Sequence, residues 1–155
     1  MGTQLRGDGA PLGDVFTWLS ALYFRGKLTY ARTFAPRRTL IMAPGAGLVP
    51  PHTRITAGDL RAMGAIDIES PAFVSPLRRD ALALARRRPA APVVLLGSIA
   101  TGKYVETLLE VFGERLLFPE TFVGRGDMSR GGLLLRSAPG FQLWTTPAGS
   151  SRKIA

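Results

Sequence analysis

Between residues 92 and 118 the hydrophobic period of this chain changes twice, and no other feature limits its possible folds as much. Pro92-Val93-Val94-Leu95-Leu96 is a continuous apolar run. It passes through Gly97-Ser98-Ile99-Ala100-Thr101-Gly102-Lys103 into a stretch where Tyr104, Leu108, Val111 and Phe112 share one helical face. Glu106 and Glu110 lie toward the other face, Gly113 stops the helix, and Arg115-Leu116-Leu117-Phe118 is apolar again. A strand covered on both faces reads as an unbroken apolar run, and an amphipathic helix as i, i+4, i+7. Strand, helix and strand in this span make a βαβ unit, which requires parallel pairing. The expected fold class is therefore α/β: a small three-layer domain with a mostly parallel sheet.

The rest of the chain is read around that unit. Asp14 is placed to cap a helix through Val15, Trp18, Leu19 and Leu22. The pattern runs on through Leu28, Tyr30, Ala31 and Phe34, with Gly26 as a point of division and Pro36 as the end. Thr39-Leu40-Ile41-Met42-Ala43 reads as a further buried strand, left through Pro44-Gly45-Ala46-Gly47. Thr56 caps a short helix with Asp59 in its first turn and Gly64 at its stop. Ser75-Pro76 opens another, with Leu77, Ala81 and Leu84 as its apolar stripe. Arg86-Arg87-Arg88 fall in its last turn, where cations complement the helix dipole, so a solvated helix end accounts for them. Residues 132–136 and 141–145, around Pro139-Gly140, have the pattern of a C-terminal β-hairpin, with a helix from Met128 to Ser137, opposed by Gly131 and Gly132, as the alternative. Residues 1–13 are expected to be a flexible N-terminal segment, 14–148 a single α/β domain and 149–155 a flexible tail.

Composition narrows the function classes. The chain has 155 residues and a formal net charge of +9, with no cysteine and one histidine. Disulfides and thiolate metal sites are excluded, and so is a multi-histidine metal centre. No apolar run reaches membrane-spanning length, so no membrane association is expected. The first residues are polar and glycine-rich, without the order of a secretory leader, and a cytoplasmic location is expected. A basic chain attracts polyanions, so a nucleotide or nucleic acid is the natural partner. Arginine outnumbers lysine 17 to 3, a skew that a GC-rich genome also produces.

If the strands are parallel, the loops leaving their carboxyl ends share one edge of the sheet, where open α/β sheets bind ligands. Those loops are Pro44 to His52, Gly97 to Lys103 and Pro119 to Arg130, all with closely spaced glycines. Glycine lets backbone N–H groups approach an anion, and a helix N-terminus adds partial positive charge. Gly97 to Lys103 nearly matches the phosphate-binding G-x-x-x-x-G-K-[ST], but its last position is Tyr104, so the small Mg²⁺-coordinating hydroxyl is missing. Anion binding is expected here, without Mg²⁺-dependent nucleotide hydrolysis. The candidate ligand-binding residues are Gly97, Ser98, Thr101, Gly102, Lys103, Arg125, Ser129 and Arg130. Asp127 is the candidate base or sugar-orienting carboxylate. No cofactor and no metal are called for. A Ser98–His52–Asp triad lacks the G-x-S-x-G elbow, and no pair of carboxylates has the spacing of two-acid catalysis.

A second candidate surface is the acid-free stretch from Arg25 to Arg38. Arg25, Lys27, Arg32, Arg37 and Arg38 interleave there with Tyr23, Phe24, Tyr30 and Phe34. Such a mixture holds phosphates and stacks bases. A helix with aromatic core residues and a basic outer face has the same pattern, and it is the preferred reading because the aromatics fit a packed face.

Leu22-Tyr23, Tyr30-Ala31, Gly47-Leu48-Val49-Pro50, Ile55 and Asp59-Leu60 combine with Val93 to Tyr104, Phe118-Pro119 and Gly124-Arg125-Gly126. In these positions the chain resembles a group of bacterial α/β domains loosely similar to the peroxide-stress, DNA-associated proteins. The resemblance spans about residues 20–135. It implies an α/β fold and an association with nucleic acids or nucleobases. Three functions follow: a domain taking a phosphate-bearing ligand at the sheet edge, with metal-independent N-glycosyl chemistry as its enzymatic form; a non-catalytic nucleic-acid-binding module; or a structural protein without a small ligand.

Overall fold

The βαβ unit forms as the apolar pattern of residues 92–118 requires. The computed structural model describes residues 1–97, 103–119, 142–145 and 151–154. In chain order these form α1 (Gly2–Arg6), β1 (Ala10–Pro11), α2 (Leu12–Phe34), β2 (Ile41–Ala43), β3 (Gly47–Val49), β4 (Arg54–Ile55), α3 (Ala57–Gly64) and α4 (Pro71–Arg87). Then come β5 (Val93–Val94), α5 (Lys103–Phe112), a 3₁₀ turn (Gly113–Arg115), β6 (Leu116–Pro119), β7 (Gln142–Thr145) and β8 (Ser151–Ile154). β5 and β6 pair in parallel, with Val93 opposite Leu116 and Val94 opposite Leu117. The Leu95 N–H carries the ladder on by donating to the Leu117 carbonyl at 2.9 Å.

The expected mostly parallel sheet is not what forms. The largest sheet has the order β5-β6-β7-β8, and only its first pairing is parallel. β2 does not join it. It turns back through Pro44–Ala46 and pairs antiparallel with β3, Ile41 opposite Val49 and Ala43 opposite Gly47. The glycines read as a ligand loop close this turn instead. Gly45 and Gly47 have φ of +77° and +84°, which side-chain-bearing residues rarely adopt, and the Ala46 N–H reaches the Ala43 carbonyl at 3.0 Å.

The hairpin has two faces and each meets a different core. Ile41, Ala43 and Val49 pack with Leu5, Ala10, Leu12, Val15 and Ile55. Met42 and Leu48 pack instead on Phe73, Leu77, Tyr104, Leu108, Leu116 and Phe118. Alternation along a strand places successive side chains on opposite faces. A short strand walled by two cores therefore has the same apolar sequence as a central parallel strand, which is why β2 reads as one. The hairpin is pinned to α4 by Asp80, whose carboxylate accepts from the Leu48 N–H at 2.9 Å and the Arg79 Nε at 2.8 Å. The Arg79 hydrogen bond, with help from the Leu48 N–H, holds the Asp80 carboxyl below the usual carboxylate range.

Helix boundaries follow local chemistry. The Thr56 hydroxyl accepts from the Asp59 N–H while the Asp59 carboxylate accepts from the Thr56 N–H, a reciprocal cap that also lowers the Asp59 pKa. α4 opens at Pro71 behind Ser70, five residues before the expected Ser75-Pro76, and Pro76 lies inside it. The Ser-Pro signature occurs twice, and the earlier copy is the start. α2 begins behind Pro11, with Asp14 in its first turn rather than at the cap, and runs unbroken past the buried Gly26. Arg115 reaches back to the end of α4, donating to the carbonyls of Arg88 at 2.7 Å and Ala91 at 3.4 Å. Arg78 and Glu110 join α4 to α5 at 2.7 Å.

Residues 1–13, expected to be flexible, contain α1 and β1. β1 pairs antiparallel with β4, and Leu5, Ala10 and Leu12 are buried. The Arg54 guanidinium donates to the carbonyls of Asp8 and Gly9 and ties this segment down. At the other end a C-terminal hairpin does form, but its strands are β7 and β8, with Gln142 opposite Ile154 and Thr145 opposite Ser151. The tail expected from residue 149 therefore includes a paired strand, while 132–136 lies outside the described residues. Among the described residues no helix is long and apolar enough to cross a membrane.

Candidate functional site

Two places were open to a ligand on sequence grounds: the carboxyl edge of the sheet and the basic stretch of α2. At the first, β5 leads through Leu95 and Leu96 to Gly97, and α5 opens on the exposed Lys103. Tyr104 turns inward. It is 5% exposed, belongs to the second core, and its ring lies 6.4 Å from that of Phe73. A Cβ at Gly97 would stand 3.4 Å from the Tyr104 hydroxyl, so this glycine rests directly on the buried phenol. The departure of position 104 from the phosphate-loop pattern thus has a packing cause: it is a core position of α5, and an aromatic fills it.

Of the residues proposed for that edge, the structure brings Gly97 and Lys103 to the carboxyl end of β5. Ser98, Thr101, Gly102, Arg125, Asp127, Ser129 and Arg130 lie outside the described residues. The Pro44 to His52 segment belongs to the β2–β3 hairpin and the turn after it, and it leaves no strand of the four-stranded sheet. The Pro44 to His52 loop is therefore not one of the loops at that edge, and residues 98–102 and 120–130 lie outside the described residues. His52 is exposed in the turn where the Thr53 N–H meets the Pro50 carbonyl at 3.1 Å. Among the described residues no group of three or more His, Asp or Glu side chains is placed to hold a metal ion.

The second place is better defined. From residue 15 to residue 58 the chain has no acidic residue, while Arg25, Lys27, Arg32, Arg37, Arg38 and Arg54 all fall within it. Arg54 is committed to the backbone of the N-terminal segment. Arg25, Arg32, Arg37 and Arg38 are exposed. Among the described residues the arginines in ion pairs are Arg78, with Glu110, and Arg79, with Asp80, both on α4. Arg25 and Arg32 of α2 and Arg37 and Arg38 of the turn after it therefore present their charge to solvent, whereas part of the α4 charge is neutralised. The two basic stretches also stand on different cores, α2 on the first and α4 on the second. They are better treated as separate surfaces than as one.

The aromatics of α2 divide by face. Tyr30 is buried, and burial pushes its phenol well above the ordinary range. Phe24 is half-buried, edge-on to Phe16 with ring centres 5.4 Å apart, and Phe34 lies 4.6 Å from Tyr30. The packing explanation holds for Tyr30 and Phe24, while Phe34 is itself 44% exposed. Trp18 does the opposite of what its apolar spacing suggested: it is 59% exposed, and its neighbour Leu19 is 51% exposed. Positions 18, 25, 29 and 32 recur at intervals of seven, four and three, so Trp18 shares the outer face with Arg25, Thr29 and Arg32. That spacing was available in the sequence. The apolar spacing of Val15, Trp18, Leu19 and Leu22 also fits one helical face, and burial of Val15 but not Trp18 decides between the two.

No family model, no curated protein and no solved structure matches this chain.

Proposed function

We propose that this protein is a nucleic-acid-binding module that holds the phosphate backbone on the acid-free surface of α2 and the turn after it. The carrying observation is the exposure of Arg25, Arg32, Arg37 and Arg38 in a span without a single carboxylate. A patch of one sign concentrates counterions, and a polyanion that displaces them gains binding free energy from their release. Arginine is the cation best suited to this task, because its planar fork meets phosphate with two parallel hydrogen bonds. The resemblance to DNA-associated bacterial domains points to the same partner.

The test is fluorescence anisotropy with a labelled duplex at about 0.1 M salt, where charges farther apart than ~10 Å are screened. Replacing Arg25, Arg32, Arg37 and Arg38 together by Ala is expected to weaken binding about tenfold or more, taking exposed charge contacts at the modest values usual for them. Replacing Arg86, Arg87 and Arg88 is expected to change it less, because their place in the last turn of α4 already explains them. Equal losses from the two sets would remove the assignment to α2.

The parallel β5–β6 crossover favours a second reading, a nucleotide or nucleoside held where α5 opens. Lys103 would sit at its rim, and Asp127 would serve as base for metal-independent N-glycosyl chemistry. A mononucleotide that raises the melting temperature of the wild type but not of Lys103→Ala belongs to this reading, since a ligand that binds only the native state stabilises it.

A further inference from the structure

The outer face of α2 carries a feature that electrostatic binding alone does not use. Trp18, with 59% of its surface exposed, stands on the same stripe as Arg25 and Arg32, and Leu19 flanks it at 51%. Duplex DNA offers phosphates to such a stripe but no open base face, because each base is covered by its stacked neighbours. A single strand offers both, and aromatic side chains beside a cationic track are how sequence-tolerant single-strand binders work. We propose that this face is a single-strand platform: Trp18 stacks an unpaired base, and Arg25 and Arg32 hold the phosphates that run on from it. This rests on the nucleic-acid reading and adds the strandedness of the ligand.

The spacing fits. Seven residues of helix advance about 10.5 Å, so Trp18, Arg25 and Arg32 mark equal steps, each about three phosphates of a stacked strand at ~3.4 Å apiece. Asp14 lies one turn before Trp18 on the same face and is exposed, so its charge ends the cationic track there and the strand extends toward Arg32. Other occupants fit less well. A helix lying in a membrane surface needs its apolar face outward, but Leu12, Val15, Leu28 and Tyr30 of α2 are in the core, and Trp18 shares its face with the cations instead of opposing them. A second copy would set one chain of net charge +9 against another.

The experiment measures binding of the full chain to a labelled oligothymidylate of about fifteen nucleotides and to a duplex of the same length. Trp18→Ala is expected to lower single-strand affinity about tenfold or more, in line with the usual worth of one stacked base, and to change duplex affinity by less than about twofold. Trp18→Phe, which keeps an aromatic face, is expected to retain most of the single-strand affinity. Arg25→Ala with Arg32→Ala is expected to weaken both ligands. If Trp18→Ala changes neither affinity, or lowers both equally, the platform is wrong while the nucleic-acid reading stands. If the wild type binds neither ligand, both fail. If polyglutamate or anionic phospholipid vesicles of matched charge displace the labelled strand as effectively as unlabelled oligothymidylate does, the platform is also overturned, because the bases would then add no affinity.

Discussion

Gly47→Ala is expected to destabilise the folded protein by about 2–5 kcal/mol. Position 47 has φ of +84°, a conformation that costs a side-chain-bearing residue roughly 1–3 kcal/mol. A Cβ there would also overlap the Asp80 carboxylate and stand 2.8 Å from the Pro76 carbonyl oxygen. The Asp80 side chain can swing away, but only by giving up the Leu48 N–H that it accepts at 2.9 Å. The Pro76 carbonyl is part of α4 and cannot yield without moving the helix, and such overpacking adds about 1–3 kcal/mol. At about 2–4 °C per kcal/mol for a chain of this size, the melting temperature should fall by roughly 4–20 °C. Gly58→Ala is the control. It lies in α3 with only the Thr56 hydroxyl near its would-be Cβ, at 3.5 Å, and should be neutral or slightly stabilising. An unchanged melting temperature in Gly47→Ala would mean that the hairpin does not dock on α4 in this way.

Leu77→Ala carries the other large effect. Leu77 is 1% exposed and lies in the core shared by α4, α5 and the sheet. Removing its three outer carbons loses their transfer free energy and leaves a cavity that close-packed neighbours fill only in part, which together cost about 2–5 kcal/mol. Leu82 stands five positions along the same helix and is 43% exposed, so Leu82→Ala should change stability by less than about 0.5 kcal/mol. The comparison holds chemistry and helix constant and varies burial alone. Chemical denaturation of the two variants reads it directly, and similar midpoints would contradict the assignment of the inner face.

What the sequence disclosed of this fold was the part governed by local rules. The switch of period across 92–118 located β5, α5 and β6 and their parallel pairing, because each step depends on neighbours a few residues apart. The Thr56–Asp59 cap was legible for the same reason. The partner of β2 was not legible. An apolar strand between two cores and one in the middle of a parallel sheet bury the same residues on both faces. Nor was the order of residues 1–13, where the polar surroundings of Leu5 gave no hint that Arg54, far along the chain, would anchor the segment. At the candidate site the exposed cations of α2 could be listed from the sequence. That the face they share with Trp18 is the outer one needed the direction in which α2 buries Val15 and Tyr30.

The central claim, that the α2 surface binds nucleic acid through its phosphates, is tested most directly by the salt dependence of duplex affinity. If Arg25, Arg32, Arg37 and Arg38 each neutralise one phosphate, log K should fall with log salt concentration at a slope of about −3.6 from these four, at ~0.9 per contact. The variant with all four replaced by Ala should lose a slope of about that size. Affinity that barely changes with salt, or a variant that keeps the wild-type slope, would contradict the claim.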